Sequence, residues 1–255
     1  MFRAPCQPFG TILVYGMSER SPTLLDAILA RLFPPTCLLC GAPGSASGRD
    51  LCAGCADDLP RNLDACPRCA LPFDGPLPSG VLCGRCQRRP PLFDRCLAAF
   101  RYEGVVPSLV VGAKFEGRLD LARLLGQCLA AAVRGSQPEW PEVLVPVPLH
   151  PARLRARGYN QALEIARVLG RELALPVDPF CCQRVRATPP QAGLDERARW
   201  RNLRGAFEVQ EPLGWRRLAI VDDVVTTGST IVELARVLRR AGCERIDVWT
   251  VARTP

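Results

Sequence analysis

Eight of the 14 cysteines in this 255-residue chain are spaced for one kind of chemistry. They form four C-x-x-C pairs: Cys37/Cys40, Cys52/Cys55, Cys66/Cys69 and Cys83/Cys86. A C-x-x-C turn presents two thiolates to one side of a metal, and two such turns complete a tetrahedron around Zn²⁺. One pair alone would equally suit a redox couple. Four pairs, with 11 residues between the first two and 13 between the last two, predict two Cys₄ zinc sites. Each site would have four thiolates and no open position, so its role would be to hold structure. Sequential pairing makes two zinc ribbons and interleaved pairing makes a cross-brace; the spacing leaves both open.

A second segment, Leu218–Thr230, points to phosphate chemistry. An apolar strand ends in Asp222-Asp223, a short loop carries Thr226, Thr227, Gly228, Ser229 and Thr230, and a helix follows. Converging backbone N–H groups, hydroxyls and a helix N-terminus make a cradle for an anion. Two adjacent carboxylates can accept hydrogen bonds from a cis-diol, and the strand's carboxyl end is where open α/β sheets bind ligands. Simple helix capping needs neither the two acids nor five Gly/Ser/Thr residues. Upstream, Val143–Ala166 reads as a buried strand, then a loop with His150, Arg153, Arg155 and Arg157, then a helix opening near Tyr159. Arginines converging near a helix start suit a pyrophosphate. Among 33 basic residues Lys114 is the single lysine, which suggests that a compact ammonium is needed there.

The elements that would position these groups follow from periodicity. After Cys96 strands and helices alternate: a strand at 96–104, helices at 105–115 and 119–133, a strand at 142–150, a helix at 159–173, strands at 180–186 and 217–223, a helix at 229–242 and a strand at 245–253. Apolar strands separated by helices predict an α/β fold with a parallel sheet flanked by helices. Residues 34–96 carry nine cysteines with many Gly, Pro, Asp and Arg and no sustained period, so they cannot build a core without metal. The organisation read here is a leader and short helix at 1–33, a double zinc ribbon at 34–96 and an α/β domain at 97–255. Met17 directly precedes the helical pattern starting at Ser21, which suggests that translation starts there and not at Met1.

Composition narrows the class. Apolar residues are 48%, which excludes a disordered chain. No run of about 18 apolar residues predicts a membrane span. Thr11–Gly16 is too short for the apolar core of a signal peptide, so a cytoplasmic, reducing setting is expected and disulfides are not. Cys96, Cys128, Cys181, Cys182 and Cys243 then read as core filler. The formal charge of +8 is uneven: residues 153–204 hold 11 arginines against 5 acids, while two zinc-bound tetrathiolates would turn residues 1–96 slightly acidic.

In combination these motifs resemble known ones. Leu218–Thr230 is similar to the phosphoribosyl-pyrophosphate motif of type I phosphoribosyltransferases. By that resemblance Asp222 and Asp223 hold the ribose, and Thr226 to Thr230 hold the 5′-phosphate. "RGYNQ" (Arg157–Gln161) after a Pro-Val-Pro strand, together with the C-x-x-C array, resembles the ComF family. These are competence-associated, phosphoribosyltransferase-like proteins with an N-terminal double zinc ribbon. "LFPPTCLLCG" (Leu32–Gly41) and Thr188–Phe207, with Gln191, Leu194, Arg199, Asn202 and Phe207, also look like that family, as does the place of Lys114.

The resemblance covers about residues 21–255 and implies a role in DNA uptake and transformation. It implies phosphoribosyl pyrophosphate or a nucleotide as ligand, with Mg²⁺ accompanying the pyrophosphate. It further implies catalytic roles for Asp222, Asp223 and Lys114, and a pyrophosphate loop of Arg153, Arg157, Gly158, Tyr159, Asn160 and Gln161. Single-stranded DNA, with Tyr159 or Trp200 to stack its bases, and other competence proteins docked on the zinc module are the implied macromolecular partners. Alternatives are a nucleotide-salvage phosphoribosyltransferase and a non-catalytic adaptor that handles single-stranded DNA. Type I enzymes cover their base with a hood. Here the last strand runs almost to Pro255, so the zinc region or a partner is expected to cover the site.

Overall fold

The computed structural model describes residues 34–45, 48–78, 80–136, 139–187, 203–210 and 212–255. The leader helix, Met17, Gln191, Leu194, Arg199, Trp200 and Asn202 lie outside them. Four strands form the main sheet: β1 (Arg95–Arg101), β2 (Val143–Pro146), β5 (Arg217–Val225) and β6 (Arg245–Arg253), in the order β1-β6-β5-β2. All three pairings are parallel, with Ala98 opposite Thr250, Val221 opposite Trp249 and Val145 opposite Ile220. A short strand β3 (Cys182–Arg184) pairs antiparallel with β4 (Phe207–Val209) in a separate two-stranded sheet. The apolar run at 180–186 therefore stands outside the parallel sheet. Its burial alternates, with Cys182 and Arg184 inside and Gln183 outside, as suits a strand with one wet face.

The pleat sends successive residues of β5 and β6 to opposite faces. Ala219, Val221, Trp249 and Val251 join a core with helices α3 (Val106–Phe115), α4 (Leu119–Gly135) and α6 (Gln161–Leu173). Leu218, Ile220, Ile246 and Val248 join a second core with α7 (Ser229–Arg240), Leu203 and Phe207. Covering both faces explains why these strands read as continuous apolar runs. Gly126 lets α4 approach α6: a Cβ there would lie 2.8 Å from the Val168 Cβ.

The cysteine-rich segment packs along the β1 edge. It contains α1 (Ala53–Asp57) and α2 (Gly84–Arg88). Asn62 N–H donates to the Ala99 carbonyl (3.1 Å), Arg101 N–H to Pro60 (2.8 Å) and Cys96 N–H to Pro67 (3.4 Å). A free strand edge is thus capped by main chain from the metal-binding region. Cys37, Leu51 and Leu59 enter the first core, and Ala70 and Phe93 enter the second.

Two boundaries differ from the sequence reading. The arginine segment after β2 is a helix and not a loop: α5 spans Pro151–Arg157. His150 caps it, with Nδ1 accepting from Ala152 N–H (3.2 Å), Pro151 occupies its first turn, and Gly158 ends it at φ +85°. The following helix starts at Gln161, with Asn160 as its cap. The Asp222-Asp223 pair lies within β5, which continues to Val225, instead of terminating it.

Candidate functional site

The eight paired cysteines assemble as two groups in sequential order. Cys37, Cys40, Cys52 and Cys55 have their sulfurs within 4.8 Å of one another, and so do Cys66, Cys69, Cys83 and Cys86. This excludes the interleaved cross-brace. Backbone donors already face the sulfurs: Cys55 N–H lies 3.5 Å from Cys52 Sγ and Cys83 N–H 3.3 Å from Cys66 Sγ. Four converging thiols, with N–H groups able to stabilise thiolates, fit tetrahedral Zn²⁺. Cys96, Cys181, Cys182 and Cys243 are buried and Cys128 is partly buried, and all lie apart from these groups.

The second module is strapped to the α/β domain by Arg253 at the end of β6. Its Nε donates to the Cys69 carbonyl (3.3 Å) and its guanidinium to the Val225 carbonyl (3.2 Å) at the root of the phosphate loop. Burial lowers the Arg253 pKa, and cysteines beside it push the other way.

Asp223 is the centre of the second site. It is buried, and its Oδ2 accepts from Lys114 Nζ (3.0 Å) and Gln161 Nε2 (3.2 Å), while its Oδ1 accepts from Val224 N–H (2.8 Å). Burial alone would raise its pKa, but the Lys114 ammonium outweighs that, and the carboxyl sits below its usual range. Asp222, one residue earlier, behaves oppositely. Burial and then the charge on Asp223 push its pKa well above the usual value. The two acids therefore divide into a fixed carboxylate and a readily protonated neighbour.

Around them the residues of the arginine segment take distinct positions. Arg157 donates to Gln161 Oε1 (2.6 Å), extending the chain Arg157–Gln161–Asp223. Its guanidinium stacks over Phe115 at 5.0 Å. Tyr159 Oη donates to the Ala113 carbonyl and so ties the segment to the helical turn that carries Lys114. Asn160 Nδ2 donates to Val147 (3.0 Å), and its Oδ1 caps α6 through Ala162 N–H (3.1 Å). Gly158 supplies the left-handed turn between the helices. Burial and the charge of Arg157 lower the Arg153 pKa. Arg155 is exposed, and His150 serves as the helix cap.

The loop after β5 turns sharply into the next helix. Gly228 sits at φ +76° and starts α7, Ser229 is buried, and its Oγ lies 3.0 Å from Thr227 Oγ1. Thr226 is exposed and Thr230 half-buried. Thr250 Oγ1 donates to the Asp223 carbonyl (3.1 Å), fixing the strand on which the acids stand.

One residue was not anticipated. Arg184 on β3 is buried, with its guanidinium 5.5 Å from the centre of the Phe207 ring. Burial, then the charge of Arg153, bring its pKa down to about 10, and Asp222 opposes the drop. It therefore lies within electrostatic reach of Arg153 and Asp222. The signal in the sequence was an arginine on the inward phase of an apolar strand.

The Double zinc ribbon domain family matches residues 28–87. The DNA utilization protein YhgH of Salmonella typhimurium is 38% identical over 87% of this chain and 98% of its own length. This chain belongs to the ComF family. The competence protein F of Haemophilus influenzae is 33% identical over 85% of this chain and 96% of its own. Among solved structures, a Bacillus subtilis glutamine phosphoribosylpyrophosphate amidotransferase complexed with ADP and GMP shows a partial likeness. It has a TM-score of 0.37 and 17% identity, covering 55% of this chain and 30% of that one. No helix among the described residues of this ComF protein is long and apolar enough to cross a membrane.

Proposed function

We propose that this protein binds phosphoribosyl pyrophosphate, with residues 34–96 acting as a two-zinc module and residues 97–255 as the phosphoribosyl-binding domain, and that it serves DNA uptake and use in the cytoplasm. The observation that carries the binding reading is the acidic pair: a Lys114- and Gln161-held Asp223 beside a high-pKa Asp222, next to the Thr226–Thr230 loop. Two adjacent carboxyls can accept from both hydroxyls of a vicinal diol. The Gly228 turn and the start of α7 offer N–H groups to a 5′-phosphate. Arg153, Arg157 and Arg184 bring positive charge to the β2 side of the acids, where a pyrophosphate would lie. Asp222, once ionised, and the pyrophosphate oxygens would hold Mg²⁺, which would supply charge neutralisation for the leaving group. The names of the relatives support the DNA role: proteins called DNA utilization protein YhgH and competence protein F align along nearly their whole length.

In transferase chemistry Lys114, Arg157 and Arg184 would stabilise charge on the departing pyrophosphate, while Asp222 and Asp223 orient the ribose. Calorimetric titration of phosphoribosyl pyrophosphate with Mg²⁺ into zinc-loaded protein tests this reading. Micromolar binding lost in Asp223→Ala is expected, and pyrophosphate release assays then separate an enzyme from a sensor. Equal weak binding by both proteins would remove the reading and favour an adaptor that contacts only DNA.

A further inference from the structure

A cleft of about 870 Å³ runs between the second cysteine module and the phosphate loop. Arg88 and Arg89, just past Cys86, line one wall, and Thr227 and Gly228 of the loop line the other. Pro91 and Phe93 supply an apolar surface between them. Among the described residues no acidic side chain lines the cleft, Arg88 and Arg89 are exposed, and neither has an ion-pair partner. Four arginines (Arg85, Arg88, Arg89 and Arg253) line it beside Cys69 and Cys86, and their charge exceeds the formal charge of about −2 on a zinc tetrathiolate. An apolar wall with net positive charge selects a ligand that is both flat and anionic.

Its placement gives that ligand a role. Asp222 and Asp223 stand on β5, between β2 and β6. The segment after β2 brings Arg157 and Gln161 to one flank of the acids. The cleft opens at the other, where Val225 and Arg253 end β5 and β6. Displacement at the ribose C1 requires the incoming atom to approach opposite the leaving pyrophosphate. With the pyrophosphate held at the Arg157 flank, as proposed above, the cleft would lie on that side.

We infer that the cleft binds a planar heteroaromatic ring bearing a carboxylate, and that the second zinc module thereby sets the acceptor specificity of the phosphoribosyl site. The ring lies against Pro91 and Phe93, and the carboxylate meets Arg88 and Arg89. In transfer, a ring nitrogen bonds to C1 as the C1–O bond breaks. The electron pair leaves with pyrophosphate; an attacking N–H nitrogen, as in orotate, loses its proton to water, whereas a pyridine nitrogen has no proton to lose and the ring keeps the positive charge. The inference rests on the phosphoribosyl-binding reading above.

The test uses the zinc-loaded full-length protein and the double variant Arg88→Glu/Arg89→Glu, whose changes are at exposed positions. Heteroaromatic carboxylates (orotate, nicotinate and quinolinate) are titrated against their uncharged parents, uracil and pyridine. At least one carboxylate is expected to bind tenfold or more tightly than its parent, and the double variant is expected to lose that advantage. Its affinity for phosphoribosyl pyrophosphate is measured alongside, and the loss for the carboxylate is expected to exceed any loss for the donor at least fivefold. Carboxylates that bind no better than their parents, or a double variant that binds them as wild type does, overturn the inference. So does a cleft that responds only to oligothymidylate, which would assign it to a DNA strand. Failure of wild-type protein to bind phosphoribosyl pyrophosphate would instead refute the parent reading, and is read out separately.

Discussion

Replacing Arg253 by methionine tests whether the second zinc module and the phosphate loop are one mechanical unit. Methionine keeps the aliphatic volume and removes both donors. The Cys69 carbonyl loses the Arg253 Nε bond of 3.3 Å, and the Val225 carbonyl loses the bond of 3.2 Å while keeping Thr254 N–H. A hydrogen bond from a charged donor contributes roughly 1.5–3 kcal/mol, so the two together predict a loss of about 3–6 kcal/mol. For a domain of this size about 1 kcal/mol moves the melting midpoint by ~2–4 °C. A fall of roughly 6–24 °C by calorimetry at fixed zinc is therefore expected. If about 3 kcal/mol of this falls on opening of the second module, its open population rises about 100-fold. Chelator-driven zinc release, followed with a colorimetric metal indicator, should then show one zinc per chain leaving about 100-fold faster and the other unchanged. Arg253→Lys, with a single flexible donor group, should lie between. A midpoint within 2 °C of wild type, with both zinc ions leaving at wild-type rates, would refute the strap.

Other consequences are as direct. Asp222→Asn should raise the thermal midpoint at pH 7 while weakening phosphoribosyl pyrophosphate binding at least tenfold. The Asp222 pKa is raised in the fold, so its contribution to stability is full at low pH and lost as pH rises through the folded value; the advantage of asparagine should therefore vanish in acid. Asp223 has the opposite sign: its depressed pKa means that stability present at neutral pH is lost as pH falls through the folded value, and Asp223→Asn should flatten the acid limb of a stability–pH profile. Gly228→Ala has room for its Cβ, 3.8 Å from Val225 Cγ1, but must hold φ +76°, so a cost of about 1–2 kcal/mol and a roughly tenfold drop in phosphate affinity are expected by calorimetry. Metal analysis should find two zinc ions per chain, and stripping them should unfold residues 34–96, seen as fast amide exchange there.

Much of this was legible because the chemistry depends on local spacing. The cysteine pairs, the Asp222–Thr230 segment and Lys114 could be named because each depends on a few adjacent residues or on a residue type used once. The apolar runs of β5 and β6 reported burial on two faces, and that is enough to infer a parallel sheet. What escaped notice depends on distant partners. Arg184 comes under the influence of Arg153 and Asp222 only through the fold, 31 and 38 positions away in sequence. The helical state of Pro151–Arg157 was hidden by its arginines, which read equally as a solvated loop; the His150 cap and the Gly158 turn decide it. Zinc pairing could not be read from spacing, since the same knuckles serve ribbons and cross-braces. Nor did the sequence show that main chain near Arg61 completes the sheet edge, or that Arg253 reaches back to Cys69 across 184 positions.

The strand order has a consequence for how the molecule is made. β6, the last strand of the chain, lies between β1 and β5. A ribosome delivers it only after both neighbours, so the sheet stays open at its centre until β6 has emerged. The parallel contacts that close it also span more than a hundred residues, from Arg95 to Asp247, which makes closure slow. The cysteine modules have no such handicap, because each is complete within about 20 residues. Zinc binding can therefore precede sheet closure and hold a preformed surface against β1 until its central neighbour arrives.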